Sequence, residues 1–218
     1  MNLKKKFSSF KVYYVLTGLG EGRIFEEAER ILEAGADVLQ LRLKEVSTRA
    51  YVRGAVRLKK LCAGYGIPFI VNDRVDVVMA SGADGVHLGP EDMDFGNARR
   101  ILGREKIIGL SSHSLSQAKE VISLRPDYFS VGPVFSTPTK SGNPPLGTEI
   151  LARVGSMAGN IPWLAVGGIN LQNLGDMRKC GASRVALVRA LRESRNPGGV
   201  IKKVKRILEN RTGMEQKR

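Results

Sequence analysis

The chain has 218 residues, 42% of them apolar and 26% charged, with a formal net charge of +14. That is the balance of a globular protein with a substantial core, and no apolar run approaches the ~18 residues of a membrane span. Two cysteines, Cys62 and Cys180, lie in separate helical patterns, which excludes a disulfide framework and fits buried free thiols in a reducing cytoplasm.

The basic start, Met1 to Phe7, leads into a short Tyr/Val run without a small-residue cleavage site, so no signal peptide is expected. Val12 to Leu16 reads as the first strand, and Ile24, Phe25, Ala28, Ile31 and Leu32 then recur at helical spacing. Val38 to Leu41 is the second strand, followed by an amphipathic stretch from Arg49 to Tyr65. Pro68 to Val71 comes third, with a short helix over Val75 to Ser81. Gly85 to Leu88, Ile107 to Leu110, Tyr128 to Val131, Trp163 to Val166 and Arg184 to Leu187 complete eight strands. Further helical patterns cover Leu115 to Leu124, Thr148 to Val154, Leu171 to Cys180 and Gly198 to Leu208.

Near-continuous apolar strands that alternate with helices indicate a parallel sheet covered by helices. Eight such units in this length suit a closed (β/α)8 TIM barrel better than a doubly wound sheet. Glycines 35, 82 and 181 each stand between a helix and the next strand, where a left-handed cap stops the helix. No linker divides the chain. It is predicted to be one domain over 1–218, with 1–10 and 212–218 as flexible ends.

In such a barrel the reactive groups stand at the C-terminal ends of the strands. The second strand ends in Gln40-Leu-Arg42-Leu-Lys44, where alternation sends Gln40, Arg42 and Lys44 to one side. An amide and two cations there suit a diphosphate, unless they are only a polar strand exit. Asn72-Asp73 ends the third strand, and Asp92 follows the fourth. Asp73 and Asp92 together suit Mg²⁺ shared with substrate phosphates. They also suit helix N-caps, or a two-carboxylate acid/base pair that the nearby cations disfavour. Ser111, past the fifth strand, can donate to a phosphate. His113 is a polar helix start more than a base, and His87 reads as a hydrogen-bonded barrel residue.

After the sixth strand a loop carries Ser136, Thr137, Thr139, Lys140 and Gly142: hydroxyls, free N–H groups and one ammonium, as a phosphate requires. Gly167-Gly168 and Val188-Arg189 end the seventh and eighth strands, where barrels hold a monophosphate. The site thus divides into a diphosphate half and a monophosphate half. The spread of basic residues over Lys4 to Lys6, Arg49 to Lys60, Arg99 to Lys106 and Lys202 to Arg206 reads as solvated helix surface. Phosphorylated small molecules are therefore the expected partners, nucleic acid and membrane are not, and homo-oligomerisation stays open.

Taken together, Gln40 to Lys44, Asn72 to Asp76, Gly82 to Gly89, Glu91 to Met93, Gly109 to His113, Gly132 to Lys140 and Ala165 to Asn170 resemble the thiamine-phosphate synthase family, in that family's order and across nearly the whole chain. The resemblance implies an enzyme that joins hydroxymethylpyrimidine diphosphate to a thiazole phosphate on a (β/α)8 barrel with Mg²⁺, releasing pyrophosphate through a dissociative step. It further implies that Gln40, Arg42, Lys44, Asn72, Ser111 and Lys140 serve the pyrimidine diphosphate, with Leu41 and Leu43 in the same stretch. Arg42, Lys44, Ser111 and Lys140 carry the catalytic assignment, and Asp73 and Asp92 the metal. Thr137, Pro138, Thr139, Gly168, Val188 and Arg189 correspond to the thiazole phosphate site.

Arg189 replaces the family's usual Ser, Leu43 its usual Glu, and Thr17-Gly18 lacks its usual Asp. The related thiazole tautomerase has a His where this chain has Pro133 and lacks Thr-Pro-Thr-Lys, so the synthase is favoured over it. A non-catalytic phosphate- or nucleic-acid-binding barrel is the alternative of another class.

Overall fold

The computed structural model describes residues 7, 9–18, 20–137 and 144–209. Eight parallel strands close into a barrel in sequence order: β1 (Val12–Thr17), β2 (Val38–Arg42), β3 (Phe69–Asn72), β4 (Gly85–Leu88), β5 (Ile107–Ser112), β6 (Tyr128–Val131), β7 (Trp163–Ala165) and β8 (Val185–Leu187). β1 pairs with β8, Tyr13 standing beside Ala186, and this contact closes the ring. Among the described residues the helices are α1 (Glu21–Glu33), α2 (Thr48–Gly64), α3 (Val75–Ser81), α4 (Phe95–Leu102), α5 (Leu115–Leu124), α6 (Glu149–Met157), α7 (Leu174–Lys179), α8 (Arg189–Arg192) and α9 (Pro197–Glu209).

The predicted barrel is thus present, with small differences at the element ends: β7 stops at Ala165 and β8 starts at Val185, each one residue inside the predicted run. β3 begins after Pro68, which has no N–H for the ladder. β5 continues to Ser112, two residues beyond the Leu110 end read from sequence, so Ser111 lies within the end of the strand. Helix α8, only four residues long, carries no apolar period, whereas α4 buries Ala98 and Leu102 on one face at helical spacing. Asp94 caps α4 by accepting from the Asn97 N–H at 2.9 Å.

Strand alternation sorts the core into two layers. Tyr14, Leu39, Leu41, Phe69, Val86 and Phe129 face the helices in one large apolar cluster. Tyr13, Val38, Ile70, Ile107, Tyr128 and Leu164 fill the barrel, where Phe7 and Phe10 join them. Those two rings are 2% and 3% exposed, with centroids 4.7 Å (tilted) and 6.4 Å (edge-on) from that of Tyr128. Burying two aromatic rings offsets the loss of chain entropy at Phe7 and Phe10.

The end of the barrel opposite the strand exits is tied by aspartates that precede even-numbered strands. Asp37 accepts from the N–H groups of Lys11 and Val12 (2.8 and 2.9 Å), Asp84 from that of Phe69 (2.9 Å) and Asp127 from that of Ile108 (2.8 Å). Each carboxylate also meets a cation: Lys205, Lys59 and Arg99 respectively. Two of these aspartates follow the Gly-Ala turns foreseen as helix stops, and Gly35, Gly82 and Gly181 do adopt positive φ (94°, 70° and 90°). Both cysteines are free. Cys62 is buried and its thiol pushed up to about 12 by burial, while Cys180 is only partly buried. No helix among the described residues is long and apolar enough to cross a membrane.

Candidate active site

At the C-terminal mouth the exits of β2, β3 and β4 bring their polar residues together. Gln40 is buried and donates through Nε2 to the Tyr13 hydroxyl at 2.9 Å. Arg42 lines the cavity, with Nη1 3.5 Å from Thr17 Oγ1. Lys44 Nζ lies 3.1 Å from Asp73 Oδ2, and the exposure of Lys44 keeps that pair weak, about 0–1 kcal/mol, so a ligand charge can replace it. The Tyr51 hydroxyl of α2 reaches the carbonyls of Leu41 (2.8 Å) and Asn72 (3.1 Å), tying the exits of β2 and β3. Leu41 and Leu43, counted with the substrate stretch from sequence, turn toward the helix layer because strand side chains alternate. Only their backbone faces this region.

Asp73 has a left-handed backbone (φ 66°) and donates its N–H to the His87 carbonyl at 2.9 Å. Asp92 accepts from the Gly89 N–H at 2.6 Å. Burial raises the Asp92 carboxyl above its ordinary value, and the Asp73 carboxylate beside it pushes the same way, while the Gly89 N–H and the Lys44 ammonium oppose both. The N-cap alternative fails for each: Arg74 occupies the cap of α3, and Asp94 that of α4. Among the described residues no group of three or more His, Cys, Asp or Glu side chains could hold a metal ion. A cation at the Asp73–Asp92 pair would complete its shell with further oxygens, water and substrate phosphate among them.

Deeper in the barrel, His87 is the hydrogen-bonded residue expected. Nδ1 lies 2.9 Å from the Tyr128 hydroxyl and Nε2 2.9 Å from Ser111 Oγ, with Ser130 Oγ at 3.4 Å. Tyr13 and Tyr128 share a 2.9 Å hydroxyl contact. Neither tyrosine stood out in the sequence, although period-two alternation puts both on the inward side with Gln40 and Ser111. His113 is a latch: Nδ1 meets the Gly132 carbonyl at 2.5 Å, and its N–H donates to Gln117 Oε1 at 2.7 Å.

The opposite side of the mouth is built by close backbone approach. A Cβ at Gly167 would lie 2.5 Å from Pro133, and one at Gly168 2.7 Å from Phe135 and from the Ser136 carbonyl. Only glycine lets these loops meet. Gly168, Thr137, Val188 and Arg189 line one cavity of about 290 Å³, together with Gln40, Arg42 and Asn72. Lys44, Asp73 and Asp92 stand at the strand exits outside that lining, as does buried Ser111 at the end of β5. Pro138, Thr139 and Lys140 lie outside the described residues. The turn after β8 is braced from α1, where Arg30 donates to the carbonyls of Arg192 (3.1 Å) and Ser194 (3.2 Å). Glu27 joins the brace by accepting from Arg192 Nε (2.9 Å), from Arg30 and from the Tyr14 hydroxyl.

A closed barrel whose polar side chains gather where the strands end is the arrangement of (β/α)8 enzymes. A family model described as "Thiamine monophosphate synthase" matches residues 12–191. The thiamine-phosphate synthase of Persephonella marina is 44% identical over 202 residues, covering 91% of this chain and 96% of that one. That of Gloeobacter violaceus is 39% identical over 90% of this chain, which spans 57% of the Gloeobacter protein. The solved thiamine phosphate pyrophosphorylase from Pyrococcus furiosus superposes with a TM-score of 0.80 at 33% identity, covering 95% of this chain and 98% of that one. The chain belongs to the thiamine monophosphate synthase family and is an enzyme of the transferase class.

Proposed function

We propose that this enzyme couples hydroxymethylpyrimidine diphosphate to a thiazole phosphate, forming thiamine phosphate and releasing pyrophosphate. The observation that carries the proposal is the convergence, at one mouth, of a cationic and carboxylate edge (Arg42, Lys44, Asp73, Asp92) with a glycine-built pocket under Thr137, Val188 and Arg189. Two anionic ligands can be held there side by side, which a reaction between two phosphorylated rings requires.

The residues divide the work. Arg42 and Lys44 neutralise the diphosphate, and Ser111 donates to it from the barrel floor as charge builds on the leaving oxygen. Lys140, by its place in the Thr-Pro-Thr-Lys loop, is a further cation for the leaving group. Gly168, the backbone of Val188-Arg189 and the hydroxyls of Thr137 and Thr139 hold the thiazole phosphate. Once diphosphate departs, the electron-rich pyrimidine stabilises the cation left on its methylene carbon, and the thiazole nitrogen captures it.

Asp73 and Asp92 fit Mg²⁺. They are an oxygen-only pair whose mutual repulsion a divalent cation would relieve, and they leave room for water and phosphate ligands. When bound, that ion supplies charge neutralisation to the diphosphate. The test is a pyrophosphate-release assay with both substrates and with each omitted in turn. Release that needs both supports the proposal. No release with both, or thiazole isomerisation alone, would point to the tautomerase-like relative.

A further inference from the structure

Three polar side chains, Tyr13, Tyr128 and His87, span the barrel interior between two residues assigned to the diphosphate half, Gln40 and Ser111. The contacts run Gln40 Nε2 to Tyr13 hydroxyl, Tyr13 to Tyr128, Tyr128 to His87 Nδ1, and His87 Nε2 to Ser111 Oγ, each at 2.9 Å. Gln40, Tyr13, Tyr128, His87 and Ser111 are all buried, at most 8% exposed. Burying that many polar groups costs free energy unless every donor finds an acceptor. The site is shaped for the path: a Cβ at Gly109 would come within 2.1 Å of the Tyr128 ring, so the empty position there lets the ring reach across to His87. Phe7 and Phe10 pack against the other side of that ring.

Proton counting fixes the direction. Gln40 Nε2 can only donate, so Tyr13 accepts from it and has its own proton to give. Tyr128 is the acceptor within reach, and Tyr128 in turn gives its proton to His87 Nδ1. Burial holds both phenols well above their ordinary values, so both protons are present. His87 then carries its proton on Nε2 and donates to Ser111 Oγ, leaving the Ser111 proton to point away from the relay. With the opposite direction, Tyr13 would accept twice and its own proton would leave the relay for the cavity that Tyr13 lines, so one internal hydrogen bond would be lost.

We infer that Tyr13, Tyr128 and His87 are positioning residues whose hydrogen bonds place a His87 proton on Nε2, so that Ser111 is presented to the substrate as a donor and not as an acceptor. This rests on the proposed coupling reaction for the meaning of Ser111, but not for the tautomer. A donor aimed at a leaving diphosphate is useful, whereas a lone pair aimed there repels it.

The experiment uses the full chain labelled with ¹⁵N-histidine. Only two histidines are present, and His113 serves as an internal reference, because the Gly132 carbonyl requires its Nδ1 to carry the proton. Long-range ¹H–¹⁵N spectra are expected to find one Nδ1–H ring and one Nε2–H ring. The acceptor Nδ1 of His87 should keep its shift in Tyr13→Phe and move toward a free imine-type nitrogen in Tyr128→Phe. In steady-state kinetics His87→Ala should lower kcat about tenfold, a fraction of the hundredfold or more for removing a transition-state donor, with KM for the diphosphate changed less than about twofold. His87→Gln, which restores an N–H near the Nε2 position, should recover kcat to within about threefold of wild type, an outcome that packing loss alone does not give. An Nδ1–H on wild-type His87, or full kcat in a folded His87→Ala enzyme, would overturn the inference. A wild-type enzyme that releases no pyrophosphate yet has the Nε2–H ring would instead overturn the proposed reaction and leave the relay standing.

Discussion

Asp73 has a left-handed backbone between the end of β3 and the start of α3, a conformation that aspartate tolerates better than most residues. Its carboxylate lies between Lys44 and Asp92, so replacing either carboxylate removes one side of a charge balance. Asp73→Ala and Asp92→Asn should each raise the Mg²⁺ concentration needed for half-maximal pyrophosphate release by about tenfold or more, read by titrating the metal at saturating substrates. A turnover that ignores chelator would sink the metal assignment. Arg189 is a second single-residue question. It is exposed and lines the cavity, at the position where the resemblance leads one to expect Ser. An exposed charge facing a phosphate contributes up to about 1 kcal/mol, so Arg189→Ser should raise the half-saturating thiazole phosphate concentration by about threefold to fivefold. A decrease would mean that the hydroxyl serves the phosphate better.

Between elements, two packing devices hold the mouth in shape. The brace from α1 to the turn after β8 centres on Glu27. Burial alone would raise its carboxyl, but the Tyr14 hydroxyl and the Arg192 and Arg30 guanidiniums hold it below its ordinary value. A depressed acid contributes stability that is complete above its unfolded pKa and is lost as pH falls through the folded one. Glu27→Gln should therefore be less stable than wild type by about 1 kcal/mol near neutrality, and the gap should close below about pH 4 in denaturant titrations at several pH values. The second device is the contact of β5 with β6 inside the barrel. Gly109→Ala drives a methyl into the Tyr128 ring, and a core that tight should lose about 1–3 kcal/mol, measured as a lower denaturant midpoint with an unchanged slope. The eight strands were legible because each is a short β-branched run with a helix-stopping Gly or Pro nearby. Helix α8 was not, since four residues carry too little of the 3.6 period to stand out.

For the molecule as a whole, stability and chemistry occupy opposite ends of the barrel. Asp37, Asp84 and Asp127 clamp the starts of neighbouring strands, far along each strand from the mouth. Asp84→Asn should cost about 2 kcal/mol, hence a Tm about 4–8 °C lower, while kcat per folded molecule stays at the wild-type value. A fall in kcat without a fall in Tm would show that the two ends are coupled. Period-two and period-3.6 patterns, local properties of the chain, determined by themselves the barrel, the order of its strands and which polar residues sit at their exits. Closure of the sheet decided the rest. Tyr13, Gln40, His87, Ser111 and Tyr128 come from five different strands, and their shared hydrogen bonds exist only once the ring brings those strands' inward faces together. The same closure carried Phe7 and Phe10 into the barrel, because contacts between distant segments leave no periodic trace in the sequence.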